Sequence, residues 1–465
     1  MWLLLAFPAF MPDVCVAAAP PPPRPNIIVI LCDDLGWGDL AGYGHPHIRT
    51  PHLDKLAAEG IRFTSAYSAA VVCSPSRAGL LTGRNPNRAG IFDWIPDINQ
   101  ANIAGRQSRH LVQLRKQEIT LPELLKASGY ATALTGKWHC NGAFNSPAQA
   151  QPGDAGFDHW FATQNNAAPS HRNPVNFVRN GKPVGPQQGY SCQIVAGEAI
   201  GWIEKQRAEQ AEKPFFLYVA FHEPHEPVAS PPELVSRYLS VARNNDEAEY
   251  FANVENMDSA VGRITGALDR LGIARDTLIY FSSDNGPETL KNYKAATRSY
   301  GSPGPLRGRK LSTTEGGCRV PGIARWTGTI QPGQTVDTPV SSLDLLPTFC
   351  TLAGAPLPAD HPLDGTDFSP LIRGGQLTRE KPLIWVYFNA TNDQRVAMRD
   401  GDWKLLAKLD QGKATRLHNI TAATAPQVRA AKLTDFSLYR LTTDPAEAED
   451  LSASEPEQLA RLTTR

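Results

Sequence analysis

NIIVIL, Asn26 to Leu31, is a continuous apolar and β-branched run that leads directly into Cys32, Asp33 and Asp34. A strand with one wet face alternates apolar and polar residues, whereas a strand buried on both faces, as in a parallel sheet covered by helices, does not. ATALTG (Ala131 to Gly136), PFFLYVAF (Pro214 to Phe221) and TLIYFSS (Thr277 to Ser283) have the same character. Between them lie helical patterns: HLDKLAAEG (His52 to Gly60), stopped by its glycine, and LPELLKASGY (Leu121 to Tyr130), with Pro122 early and Gly129 late. The alternation predicts an α/β fold, a large domain whose mostly parallel central sheet is flanked by helices.

Each of these strands delivers polar groups at its end. NIIVIL runs into Asp33 and Asp34, ATALTG into Lys137 and His139, PFFLYVAF into His222, Glu223 and His225, and TLIYFSS into Asp284 and Asn285. In open α/β sheets the ligand crevice lies beyond the carboxyl ends of the strands, so the four clusters are expected to meet at one site.

From about Pro356 the pattern loosens. KPLIWVYFN (Lys381 to Asn389), QRVAMRDGDWKLL (Gln394 to Leu406) and FSLYRLTTDPAEAEDL (Phe436 to Leu451) read as short strands with an Asp400-Gly401 turn, followed by a helical ending. The resulting division is residues 1–24, a leader and proline-rich spacer; 25–365, the large domain; and 366–465, a small antiparallel subdomain with α+β character.

Composition narrows the function classes. Lys+Arg and Asp+Glu both number 46 in 465 residues, so no net field favours nucleic acid or an anionic membrane, and any anionic ligand must be caught by local geometry. With 41% hydrophobic and 20% charged residues the chain is ordinary globular material, neither disordered nor a multi-span membrane protein. MWLLLAFPAFMPDVCVAAAPPPP has an apolar stretch too short to span a bilayer and an Ala-x-Ala cleavage pattern at Ala17 to Ala19, though no Lys or Arg precedes it. It reads as a signal peptide, which places the protein in the periplasm or outside the cell. Cys15 leaves with it, and the six remaining cysteines are scattered without CxxC or zinc-type spacing, so no disulfide framework is called for.

CSPSRAGLLTG, Cys73 to Gly83, places Pro75 before a run of helix formers. Cys73 is thus expected near the positive end of a helix dipole, where an anion is favoured. The segment resembles the C-x-P-S-R-x-x-x-L-T-G signature of the type I, formylglycine-dependent sulfatases, and the loops resemble the arylsulfatase and N-acetylgalactosamine-6-sulfatase branch. DDLGWGD (Asp33 to Asp39), SDNG (Ser283 to Gly286), GKWH (Gly136 to His139), FHEPHEP and LRGRKLSTTEGGCRVP (Leu306 to Pro321) resemble further elements of that family, as does LYRLTTDPAEAEDL (Leu438 to Leu451) its common ending.

The resemblance implies an alkaline-phosphatase-like fold and a sulfuric ester hydrolase that releases inorganic sulfate, with a sulfated carbohydrate favoured over an aryl or choline ester. It also implies that a formylglycine-generating maturation enzyme oxidises Cys73, and that the aldehyde hydrates so that one hydroxyl attacks sulfur and the other expels sulfate. Asp33, Asp34, Asp284, Asn285 and the residue at Cys73 are the implied metal ligands. An all-oxygen set selects a hard divalent cation, Ca²⁺ over Mg²⁺ here. Arg77 would hold the modified residue, Lys137 and Lys310 the sulfate oxygens and His139 the hydrated aldehyde. His225 would serve as acid for the leaving group, although His222 also precedes a proline by two. Cys32 and the Cys140-Asn141-Gly142 run after GKWH depart from the usual pattern.

Gln164 to Gly185 and Glu288 to Leu306 read as polar loops beside the motifs, lining a leaving-group pocket. There His171, Arg172 and Lys291 are candidates for sugar recognition or else plain surface, and Arg307 and Arg309 read as a basic surface loop. Two other readings fit parts of the pattern: a phosphate or phosphonate ester hydrolase on the same scaffold, and an inactive binder of sulfated glycans. The oligomeric state is not legible.

Overall fold

The computed structural model describes residues 24–98, 112–410 and 417–465. The segment read as a signal peptide, with Cys15 and most of the proline spacer, lies outside them.

An 11-stranded sheet forms the centre, in the order β10-β2-β9-β8-β1-β7-β3-β4-β5-β6, with β11 paired to β2. Its strands are β1 (Asn26–Asp33), β2 (Ile61–Tyr67), β3 (Ala131–Lys137), β4 (His159–Thr163), β5 (Val178–Arg179), β6 (Lys182–Pro183), β7 (Phe215–Pro224), β8 (Thr277–Ser283), β9 (Arg319–Trp326), β10 (Gln334–Val336) and β11 (Val340–Ser341). The four adjacent strands β8, β1, β7 and β3 are mutually parallel. β9 runs antiparallel between β2 and β8, which makes the sheet mixed on that side.

Every residue of β1 is buried. Ile27, Val29 and Leu31 enter one core with α2 (Cys73–Thr82), α3 (Leu121–Ala127) and α8 (Leu345–Ala353), while Ile28, Ile30 and Cys32 enter the other with α1 (Pro51–Ala58), α4 (Ser191–Glu209) and α6 (Asn245–Arg270). Two covered faces are why the run shows no polar alternation. α5 (Pro232–Tyr238) leans on α6, its Tyr238 hydroxyl donating to Glu255 Oε2 at 2.6 Å. Phe368, Leu371 and Ile372, the last two within α9 (Ser369–Ile372), pack into the first core.

A second sheet of four antiparallel strands follows: β12 (Leu383–Val386), β13 (Val396–Asp400), β14 (Trp403–Leu409) and β15 (Leu433–Arg440), with Asp400 and Gly401 turning β13 into β14. α10 (Ala425–Ala430) sits in the β14–β15 connection, and α11 (Pro456–Thr463) packs its Leu459 and Leu462 against Met398, Leu405 and Leu438. The two sheets are bolted together by buried charge. Lys404 of β14 reaches Glu315 at 2.8 Å and Glu447 at 3.4 Å, Glu315 being the first residue of α7 (Glu315–Cys318). The Tyr67 hydroxyl donates to Glu315 Oε2 at 2.7 Å.

Among the described residues all six cysteines are unpaired. Cys32 packs its sulfur 3.6 Å from that of Met257. No helix among the described residues is long and apolar enough to cross a membrane.

Candidate active site

Because β8, β1, β7 and β3 are parallel neighbours, their carboxyl ends lie side by side. Cys32 pairs with Ser283 and Asp33 with Pro224, so Asp33, Asp34, Asp284 and the residues around Pro224 share one level. Lys137 closes β3, two strands away from β1. The strands must approach closely for this: a Cβ on Gly136, whose φ is +108°, would meet the Ala220 carbonyl oxygen at 1.9 Å. After β8 the same holds at Gly286, where a Cβ would lie 1.9 Å from Gly316 O.

Cys73 is the first residue of α2, so its side chain sits at the end of the helix where the backbone N–H groups are unpaired. Its sulfur lies 3.4 Å from Asp33 Oδ1. One turn on, Arg77 is wholly buried; Nε and Nη2 donate to Asp284 Oδ2 at 3.0 and 2.7 Å, and Nη1 donates to the Lys137 carbonyl at 3.1 Å. Helix periodicity thus puts the cysteine and the arginine on one face, aimed at the strand ends.

Lys137 Nζ donates to Asp33 in a short contact, and Lys310 Nζ lies 2.7 and 2.8 Å from the two oxygens of Asp34. Lys310 also pairs with Glu288 at 3.4 Å. His225 Nε2 is 3.6 Å from Asp34 Oδ2, and the Asn285 amide donates to Asp34 Oδ1 at 2.7 Å. Asp33, Asp34, Cys73 and His225 present ligand atoms that all fall within 4.8 Å of one another. Asp33, Asp34, Asp284, Asn285, Cys73, Arg77, Lys137, His225 and Lys310 therefore meet in one pocket.

His139 stands slightly apart. Its Nε2 donates to the carbonyl of Ile95 at 3.0 Å, leaving Nδ1 buried and without a partner. The backbone amides of Trp138 and His139 are held by the carbonyls of Thr163 and Gln164, at 3.0 and 2.7 Å. His222 is not in the pocket: it is buried behind it, Nε2 against the Thr163 hydroxyl at 2.8 Å, a contact that braces the strand end holding Trp138 and His139. His171, a candidate for sugar recognition, is wholly buried beside Asn253 and Glu223 instead. Strand alternation explains His222, since it and Glu223 still belong to β7 while His225 lies just past its end.

The pocket's electrostatics follow from burial. Burial works against ionisation of Asp33, but Lys137, His225 and Arg77 overcome it and hold the carboxyl well below the usual range. Asp34 goes the other way: burial, then Asp33, Glu288 and Asp284, push it up to about 8 despite Lys310. Burial and the Asp33 charge also raise Asp284, against Arg77. Burial, reinforced by Asp33, keeps the Cys73 thiol well above its ordinary value, the opposite of an activated cysteine nucleophile. Burial lowers His139 and His225, with Lys137 and Lys310 adding to it respectively.

The donor set suits a hard divalent cation. Three carboxylates crowd together, two of them with raised pKa values, and Asn285 Oδ1 is buried with no hydrogen-bond partner. Asp33, Asp34, Asp284 and Asn285 supply only oxygen, the chemistry of Ca²⁺ or Mg²⁺ sites. Two contributors were not legible in the sequence: Glu288, which shares Lys310 with Asp34, and the Ile95 carbonyl that orients His139. Neither carries a motif; both arrive through tertiary packing.

A sulfatase family model matches residues 25–355. The chain is 38% identical over 386 residues to the N-acetylgalactosamine-6-sulfatase of Canis lupus familiaris, covering 80% of this chain and 70% of that protein. It is 35% identical over 477 residues to the arylsulfatase A of Homo sapiens, covering 94% and 86%. Among solved structures, Ps i-CgsB in complex with k-i-k-neocarrahexaose superposes with a TM-score of 0.76 at 28% identity, over 94% of this chain and 90% of that one.

Proposed function

Given that the chain belongs to the sulfatase family and hydrolyses sulfate esters, we propose that its substrate is a sulfated carbohydrate, that Cys73 is its formylglycine position, and that its divalent cation is Ca²⁺. The observation that carries this reading is the meeting of Cys73, Asp33, Asp34, Asp284, Arg77, Lys137 and Lys310 at the ends of four strands that are far apart in sequence. The N-terminal leader suggests a secreted or periplasmic protein that meets its maturation enzyme during export.

Formylglycine, once hydrated, supplies an oxygen nucleophile and a way to release sulfate that a plain thiol or hydroxyl lacks. A divalent cation would be held by Asp33, Asp34, Asp284 and Asn285 and would supply positive charge to stabilise the ester's developing negative charge. The remaining work belongs to the side chains. Arg77 anchors Asp284 and the Lys137 carbonyl, keeping the residue at position 73 over the carboxylates. Lys137 and Lys310 bind the sulfate oxygens, where negative charge sits and grows. His139 offers the free Nδ1 as a proton acceptor for the group at position 73.

His225 serves the leaving oxygen. Its Nδ1 faces the Glu226 carbonyl at 2.6 Å, and a carbonyl only accepts, so Nδ1 carries the hydrogen and Nε2 is the atom that takes up and gives the proton.

The test is peptide mass at Cys73 in protein co-expressed with a formylglycine-generating enzyme, alongside parallel kinetics on a sugar sulfate, an aryl sulfate and an aryl phosphate. An aldehyde at Cys73 with preferred release of sulfate supports the reading. Unmodified thiol in fully active protein, or preference for the phosphorus ester, overturns it.

A further inference from the structure

Next to Lys310 the surface opens into a groove of about 430 Å³, lined among others by Asn292, Arg307, Arg309, Thr391, Asn392 and Gln394. One wall is the segment that follows β8; the other is the connection from β12 to β13. Two of its lining residues, Thr289 and Arg309, are the chain neighbours of Glu288 and Lys310, and that pair is 3.4 Å apart with Lys310 seated on Asp34. The groove therefore begins one residue from the sulfate-binding lysine. Its size lies within the range of about 300–1,000 Å³ usual for small-ligand sites.

The charged residues that line the groove, Arg307 and Arg309, are both basic. The wall segments 288–294 and 305–310 carry Lys291, Lys294, Arg307, Arg309 and Lys310 against Glu288, and Asp393 is the acid of the facing segment. Arg309 is committed to structure, donating to the Glu288 and Gly301 carbonyls at 2.9 and 2.6 Å. Arg307 is different. Its guanidinium lies over the Tyr439 ring at 4.8 Å, Nη1 is 3.4 Å from the Tyr439 hydroxyl and Nε is 3.5 Å from Glu447. Those contacts fix the plane while Nη2 has no hydrogen bond among the described residues and the side chain stays 40% exposed. A guanidinium already held in place loses little entropy on binding a second anion. Asn292 spends its amide hydrogen on Glu288 Oε1 at 3.1 Å, which leaves its carbonyl oxygen to accept from a hydroxyl.

We propose that this groove is a subsite for a second, anionic sugar unit of the substrate, in which Arg307 reads a carboxylate or sulfate and Asn292 a ring hydroxyl. The inference rests on the carbohydrate reading above and goes beyond it by requiring an oligosaccharide with charge on a neighbouring unit. It also gives Arg307 a role other than that of a basic surface residue.

The experiment compares kcat/KM for three probes in wild type, Arg307→Ala and Arg307→Lys: 4-nitrophenyl sulfate, a tetrasaccharide of galactosamine 6-sulfate alternating with glucuronate, and a sulfated galactan tetrasaccharide without uronate. A charge-assisted contact predicts that Arg307→Ala lowers kcat/KM for a tetrasaccharide about tenfold more than for the aryl sulfate, mainly through KM, with Arg307→Lys recovering part of the loss. Loss on the glucuronate probe alone identifies a carboxylate, and loss on both identifies any anion. Equal loss on aryl and oligosaccharide substrates, or none on either, overturns the subsite. Asn292→Ala, at an exposed loop position, repeats the comparison should Arg307→Ala not fold. Wild-type protein inactive on every sulfate ester would instead remove the parent reading.

Discussion

Arg77 places Nε and Nη2 on one oxygen of Asp284, at 3.0 and 2.7 Å, with both side chains entirely shielded from water. A planar fork bound in this way is not replaceable by an ammonium, because a lysine has neither the second donor in the plane nor the reach to the Lys137 carbonyl. Arg77→Lys is expected to cut turnover of an aryl sulfate by about 10²-fold or more, and Arg77→Ala to cost about 3–5 kcal/mol of stability by stranding a buried carboxylate. Steady-state kinetics and urea unfolding check both numbers. A fully active Arg77→Lys protein would remove the arginine from the site's architecture.

Much of this arrangement was readable in the chain. β1, β3, β7 and β8 announced themselves because two-sided burial erases polar alternation, and the polar residues behind each run could only fall on one edge of a parallel sheet. β9 was not readable: Pro321 and Gly322 interrupt RVPGIARW, and the strand tolerates them because its pairing with β2 shifts register there, between Phe63 and Ala66. The choice between His222 and His225 was also beyond spacing, since both precede a proline by two. Only the end point of β7 decides which one faces Asp34.

A histidine acid with a lowered pKa makes a directional statement about pH. Burial and then Lys310 hold His225 well below 6.5, so its protonated form gains population as pH falls below that value. For a sugar sulfate, whose alkoxide needs a proton to leave, kcat/KM is expected to rise as the pH drops from neutral toward acid. In His225→Ala that rise should vanish, with a loss of about 10²-fold on the sugar ester and a smaller one on 4-nitrophenyl sulfate, whose phenolate leaves unaided. Equal losses on both substrates would exclude the acid role.

The buried histidines should move stability the opposite way over the same range. His139, His222 and His225 all have folded-state values below 6.5, burial being the main cause. The unfolded chain then binds protons that the folded chain refuses, so this contribution is complete above the unfolded value and is lost progressively as pH falls from there toward the folded values. The carboxyls of Asp34, Asp39 and Asp258, raised to about 8, 7 and 7 chiefly by burial, hold protons in the folded chain and oppose this, so the histidine part is read as a difference: the wild-type urea midpoint is expected to fall relative to that of His222→Gln between pH 7 and pH 5. A wild-type midpoint that does not fall relative to the variant's on acidification contradicts a buried neutral imidazole at His222.

Cation affinity has its own signature, set by Asp34. With its carboxyl pushed up to about 8, chiefly by burial, a cation must displace a proton at neutral pH. Chelator-stripped protein is expected to bind Ca²⁺ more tightly as the pH rises, by about tenfold per unit below that value, and to level off above it. Titration calorimetry in buffers of differing ionisation heat reads the released proton directly. The same protein is expected to prefer Ca²⁺ to Mg²⁺, because Ca²⁺ accepts several carboxylate and amide oxygens in flexible geometry whereas Mg²⁺ demands a near-ideal octahedron and keeps several waters. Affinity independent of pH would place the cation away from Asp34.

The bolt between the two sheets can be tested without replacing any residue of the pocket. Lys404 is fully buried between Glu315 and Glu447, and burial pulls its pKa down while the neighbouring anions more than restore it. Glu315 is held down to about 2, burial notwithstanding, by Lys404 first and then Arg319 and Arg399. Removing the lysine takes away the one cation that Glu315 and Glu447 share, leaving each with only the longer contact to Arg319 or Arg307, so Lys404→Met is expected to cost about 3 kcal/mol. Adding Glu315→Gln to it removes one stranded charge and should recover part of the loss, giving a coupling that a double-mutant cycle in urea resolves. Glu315 opens α7 directly after the loop that carries Lys310. A loosened bolt is therefore expected to raise KM for sulfate esters before the protein unfolds, whereas a stable, kinetically normal Lys404→Met protein would show that this ion contact is not what holds the sheets together.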